Sequence, residues 1–210
     1  SLLAGMLLPA LEKALATARG IACVNKLKQI GLAAMSYADS CDDWTIYSMD
    51  VSPWTAYSER LKKTGMVNEN ELFLCPSDPK TKYSANGTNI SYGINYYTFG
   101  AWPNHTNAIP RRTREIRAWN NDSNLIYFAD STPATYLPSA YYPSGVYVEP
   151  AFQGVYPLDG ENLWYPVYMR HEWRANCIFL DQHAATLVEG EIKQKIHWSP
   201  WQYSRVLKAR

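Results

Sequence analysis

The sequence predicts an α+β fold, with one long N-terminal helix followed by a head of short strands and long irregular loops. Three observations predict it. An apolar run over residues 1–11 leads directly into helical periodicity over residues 12–39. Short aromatic and β-branched runs follow, bounded by Gly, Pro, Asn and Asp, and LIYFA at 125–129 is the clearest of them. Residues 176–180 and 184–188 bracket Asp181-Gln182-His183 as a hairpin with a tight polar turn. The chain divides accordingly into a helix, 1–39, and an α+β head, 40–210.

The helix has two regimes. Residues 1–11 read SLLAGMLLPAL, and Leu2, Leu3, Met6, Leu7, Leu8, Pro9 and Leu11 leave it no polar face. Spanning a bilayer takes about 20 apolar residues, so this stretch alone is too short. It lacks the basic start and small-residue cleavage site of a secretory signal. It reads as the tail end of a longer apolar helix. From Glu12 to residue 39 the pattern is amphipathic. Ala16, Cys23, Leu27, Ile30, Ala34 and Tyr37 form one stripe, and Lys13, Arg19, Asn25, Lys26, Lys28 and Gln29 lie mostly off it. Pro9 falls inside the helix and should kink or loosen it. At about 1.5 Å per residue the helix is about 55 Å long. A compact chain of this size has a radius of gyration of about 17 Å, so the apolar end must protrude and meet lipid or other helices.

The head is read in chain order. Residues 54–64 show helical spacing at Trp54, Tyr57 and Leu61, with a stop at Gly65. Residues 71–75 are a short apolar run stopped by Pro76 and Pro79. Residues 91–99 (SYGINYYTF) are strand-like. Eight of the 13 Pro fall between positions 102 and 166, where Tyr136, Tyr141, Tyr142, Tyr147, Tyr156 and Tyr165 suggest loops held by aromatic packing.

Composition narrows the function. The 210 residues carry 20 Lys+Arg against 19 Asp+Glu, a net charge of +1, which gives no reason to expect nucleic acid as the main partner. At 47% hydrophobic and 19% charged the chain can bury a core. No C-x-x-C pair, G-x-S-x-G elbow, P-loop or G-x-G-x-x-G is present, and no Ser-His-Asp arrangement is evident. The expectation is a protein that is not an enzyme and needs no cofactor.

The stretch LLAGMLLPALEKALATARGIACVNKLKQIGLAAMSYADS resembles the N-terminal helix of bacterial pilin-like proteins. It is most similar to the type II secretion pseudopilins of the large paralogous set in Planctomycetes and Lentisphaerae. The matching residues are the run from Ala4 to Leu11, then Ala18-Arg19, Cys23, Asn25, the run from Leu27 to Ala33, and Tyr37-Ala38, with Lys26 standing where the pattern has Asn. Phe73-Leu74-Cys75-Pro76 and Ala129-Asp130-Ser131 match later motifs, and His171 with Asp181 matches a His-x9-Asp-Gly. Gln182 stands where that pattern has a turn glycine. The resemblance implies a long helix packed on a small antiparallel sheet. It implies a prepilin whose leader is cut and whose mature terminus is methylated, with about a dozen further apolar residues completing a span of about 20. The protein would sit in the bacterial inner membrane by one helix, its head in the periplasm or at the cell surface. Its partners would be other pseudopilin subunits and inner-membrane components of the secretion machine. Without most of the lipid-facing residues, residues 1–210 by themselves should be soluble.

The site residues follow from both readings. Cys23 and Cys41, 18 positions apart on one helix, are separated by about 27 Å of rise and are excluded as a bridge. Two full pairings remain, and four reduced thiols are the alternative. The resemblance favours Cys23–Cys75, which leaves Cys41 with Cys177. His171 is expected to bond loop backbone or Asp181, tying the hairpin to the preceding segment. A metal set of His171, Asp181 and His183, completed by His105 or His197, has no recognised ligand spacing. Asp39, Asp42 and Asp43 could contribute to a calcium site but read better as a solvated helix-end turn. Sequons at Asn86, Asn89, Asn104 and Asn121 read as polar loop residues. The rival to a filament subunit is a membrane-anchored binding module whose aromatic loops, 102–168, stack on carbohydrate or protein.

Overall fold

The architecture is that of a computed structural model describing residues 2–51, 53–100, 103, 109–119, 121–131, 154–155, 167–192 and 194. Helix α1, Leu2–Ser40, is continuous for 39 residues with Pro9 inside it. At about 1.5 Å per residue it is about 58 Å long. Two acids end it: Asp42 at φ 52° and Asp43 at φ 65° take the left-handed conformation that breaks a helix.

The packed face begins later than the periodicity indicates. Residues 7–19 are all exposed, Ala16 among them, whereas Cys23, Leu27, Ile30, Ala33, Ala34 and Ala38 are buried and Tyr37 is half-buried. Ala16 therefore leaves the predicted stripe: the helix keeps its period beyond the point where the head ends. Leu27 is fully buried while Lys28 is exposed. Leu27→Ala is expected to cost about 2–5 kcal/mol and Lys28→Ala under about 0.5 kcal/mol in urea denaturation. Equal effects would show a misassigned face.

The main sheet has five strands in the order β5-β3-β4-β6-β7, from β3 (Tyr92–Asn95), β4 (Ile126–Asp130), β5 (Gly154–Val155), β6 (Arg174–Phe179) and β7 (Ala184–Val188). All pairings are antiparallel except β3 with β5, a parallel edge that qualifies the all-antiparallel expectation. A separate hairpin joins β1 (Met49–Val51) to β2 (Trp54–Ala56). The remaining helices are α2 (Tyr57–Lys63), a 3-10 turn (Asn70–Phe73), α3 (Tyr96–Phe99), α4 (Thr113–Arg117) and α5 (Glu189–Ile192).

Several predicted elements shift. Residues 54–56 pair as β2 before the helix starts at Tyr57, and the helix stops before Gly65 at φ 74° as expected. The run 91–99 splits into β3 and α3. The run at 71–75 opens as a 3-10 helix. The hairpin stands, with β6 beginning at Arg174.

Strand alternation divides the core in two. Ile178 and Leu180 join Phe128, Tyr92 and Ile94 beneath α1, with Tyr57, Leu61 and Phe73 completing that cluster. Ala175, Cys177 and Phe179 face the other way, against Val167, Ile126 and Ile192. The helix lies close over the hairpin at Gly31, where an added Cβ would stand 3.0 Å from Ile178 Cγ2 and strike the Gln182 amide. A side chain there would have to displace the Gln182 amide and shift Ile178 by a few tenths of an ångström.

Candidate functional site

Two features of α1 carry the functional argument: an exposed apolar end, and a polar clamp that fixes its root to the head. The exposed end presents Leu7 (65% exposed), Leu8, Leu11 and Leu15, and Ile21 and Leu32 continue outward-facing positions along the packed part. Leu2, Leu3 and Met6 lie in the same helix, though their side chains fall outside the described residues. No helix among the described residues is long and apolar enough to cross a membrane.

The clamp starts at the Cys23–Cys75 disulfide, which ties α1 to the segment after the 3-10 turn. Lys26, one turn on, donates from Nζ to the carbonyls of Glu71 and Leu74 at 2.6 and 2.8 Å, covering carbonyls at the end of that turn. Burial lowers the Lys26 pKa, partly offset by Glu71 and Glu69.

Beneath the disulfide lies a buried charge cluster. Arg170 donates from Nη1 to Asp78 Oδ2 at 2.6 Å, and from Nη2 to the Ser91 and Ser131 carbonyls. Asp130, at the end of β4, has no exposed surface, and its Oδ2 accepts the Asn176 backbone N–H at 2.6 Å. Its Oδ1 sits 3.9 Å from Arg170 Nε. Asp78 also accepts from Thr81 Oγ1 at 2.7 Å and Ser91 Oγ at 3.0 Å. Burial would raise the Asp78 pKa, but Arg170 and these hydrogen bonds hold it below the ordinary carboxylate value. Burial pushes the Cys177 thiol well up, and the Asp130 charge adds to this.

A depressed folded pKa means that Asp78 contributes its full stability above the unfolded value of about 3.9, and that this is lost as pH falls through the lower folded value. Asp78→Asn should therefore lower the melting temperature at neutral pH and flatten its decline below about pH 4. Parallel melting curves across that range would contradict the pairing.

His171 belongs to this clamp and not to the hairpin turn. Its Nε2 is 3.4 Å from Asp130 Oδ2 and 3.6 Å from Cys75 Sγ, and its ring lies near Gly20 of α1. The predicted His171–Asp181 tie is thus replaced. Asp181 instead accepts from the His183 backbone and meets His183 Nδ1 at 2.6 Å, because the turn over residues 180–182 brings these neighbours together. Gln182 holds φ 73°, the left-handed geometry for which the resembling pattern uses glycine. One imidazole nitrogen faces both sulfur and carboxylate, which is not the two-sided relay of a nucleophile, base and orienting acid.

The predicted Cys41–Cys177 bridge is absent: both cysteines are free. Cys177 points to the sheet face opposite α1, and Cys41 follows the end of α1. Two of the three helix-end acids reach the segment at the start of α4. Asp42 pairs with Arg112 at 2.8 Å, and Asp43 accepts the Thr113 and Arg114 backbone N–H groups, docking the start of α4. Asp39 is exposed. His105, His197 and the aromatic loops' Tyr136, Tyr141, Tyr142, Tyr147, Tyr156 and Tyr165 lie outside the described residues.

Asp78, Asp130 and Arg170 carried no sequence signal as a set, because they are distant in sequence and follow no period. The Ala-Asp-Ser motif containing Asp130 was the one pointer available. No protein family, no curated protein and no solved structure matches the chain.

Proposed function

We infer that this chain is a structural subunit of a pseudopilin type, in a type II secretion or type IV pilus-like filament. The observation that carries the reading is the contrast along α1. Residues 7–19 project bare of the head with four leucines more than 45% exposed, while the next two turns are fixed to the head by a disulfide, a lysine cap and a buried core. An apolar helix end of that kind is stable only against lipid or other helices. A helix anchored at one end to a head and apolar at the other transmits force between a membrane-embedded core and the surface of a filament. In this reading the work is mechanical, the helix anchors the subunit in the inner membrane before assembly, and the head, facing the periplasm, does no chemistry.

The reading is tested by cysteine cross-linking in cells making the protein as its gene encodes it. With Cys41→Ser and Cys177→Ala as background, Leu11→Cys is expected to give a ladder of disulfide-linked oligomers, and Lys63→Cys on the head is expected to give monomer. A second reading, a membrane-anchored binding module, draws on Trp173, which is 84% exposed. It predicts membrane association with monomer at both positions.

A further inference from the structure

Cys23, Cys75 and His171 come from three separate places in the fold: α1, the segment after the 3-10 turn, and the segment entering β6. Their two sulfurs and an imidazole nitrogen all lie within 4.8 Å of one another, the one such His/Cys/Asp/Glu grouping among the described residues. Cys75 Sγ is 3.6 Å from His171 Nε2. A tetrahedral zinc with sulfur at about 2.3 Å and nitrogen at about 2.05 Å has an S···N edge of about 3.6 Å. That edge is already in place in the disulfide-bonded protein.

We propose that, once the disulfide is reduced, Cys23, Cys75 and His171 form a Cys2His site for a borderline divalent cation such as zinc. The step balances. A dithiol supplies two electrons and two protons to the Cys23–Cys75 bond and closes to its own disulfide. The cation then replaces the two thiol protons, which leave to solvent. Two thiolates neutralise the cation's charge, so the buried site carries no net charge from the metal and its sulfurs. The sulfurs need only part to the tetrahedral S···S edge of about 3.8 Å. Cys23 and Cys75 are buried at 0% and 2% exposure. Asp130, whose Oδ2 is 3.4 Å from the same nitrogen, or a water completes the shell. The root of α1 thus has two ways of being tied to the head, one covalent under oxidising conditions and one coordinate under reducing ones. The proposal stands apart from the filament reading, because it concerns only how α1 is fastened.

The test uses the whole chain, reduced in denaturant with a water-soluble phosphine and refolded anaerobically with and without cobalt(II), zinc's spectroscopic stand-in. The expected result is thiolate-to-cobalt charge transfer with intense tetrahedral bands, saturating at one metal per chain and erased by zinc. The disulfide-bonded chain should show neither band, and Cys41→Ser should behave as the parent. His171→Asn should weaken binding by at least about tenfold. Where His171→Asn does not fold, Cys23→Ser decides, and it should lose about half of the charge-transfer intensity. A reduced chain that refolds only with metal supports the site equally. Absence of tetrahedral bands from the reduced chain, failure to refold with metal present, or unchanged spectra in a folded His171→Asn or Cys23→Ser chain would overturn it.

Discussion

Replacing Arg170 by Met is expected to destabilise the protein by about 3–5 kcal/mol, the cost of breaking a buried ion pair from one side. The Arg170 side chain is 3% exposed, Asp78 is 12% exposed and Asp130 is fully buried. The guanidinium is the shared cation for both carboxylates and covers the Ser91 and Ser131 carbonyls. Met fills the volume but supplies no donor, so two acids and two carbonyls are left facing one another. The measurement is the urea midpoint at unchanged slope. Adding Asp78→Asn to Arg170→Met should recover part of the loss, since one of the stranded charges is then gone. A loss under about 1 kcal/mol for Arg170→Met would mean that the cluster is solvated and not the buried clamp described.

Removing the disulfide by Cys23→Ala with Cys75→Ala is expected to cost about 4 kcal/mol, because the bridge closes a long loop in the unfolded chain. The sequence separation is 52 residues. Cys41→Ser, at a half-buried free thiol, should change stability by about 0.5 kcal/mol or less. Non-reducing peptide mapping should return the Cys23–Cys75 linkage with Cys41 and Cys177 unpaired. A Cys41–Cys177 peptide would contradict the placement of Cys177 on the far sheet face. A Cys23–Cys41 peptide would break the continuous helix itself.

The helix was legible because its signal is local and periodic: Cys23, Leu27, Ile30 and Ala34 repeat within a few turns, and all four are buried. The same locality explains the error at Ala16, since a stripe carries no record of where its partner surface ends. The hairpin was legible through its polar turn, and β4 through its apolar run. Residues 54–56 and 96–99 were misread for a common reason. Aromatics suit both strand and helix, and in these stretches pairing with β1 and the end of β3 decided the state. The clamp was the least legible part. His171 meets Cys75 across 96 residues and Arg170 meets Asp78 across 92, and neither separation leaves a mark on either segment. The resemblance pointed to Cys23 with Cys75 and to His171 as motif residues, and the residues alone offered loop backbone or Asp181 as the partner of His171. Its partners in the fold are Asp130 and the disulfide.

We propose α1 as an assembly element whose apolar end packs against other helices while its root is fixed to the head by the Cys23–Cys75 disulfide. Cryo-electron microscopy of surface and membrane material from cells making the natural gene product tests it most directly. The expected result is filaments, or short filament stubs, in which this subunit's α1 lies in the core with Leu7, Leu8, Leu11 and Leu15 against neighbouring copies and the head outside. Particles in which the protein is a lone membrane-bound monomer, or assembles through the head with α1 exposed, would contradict it.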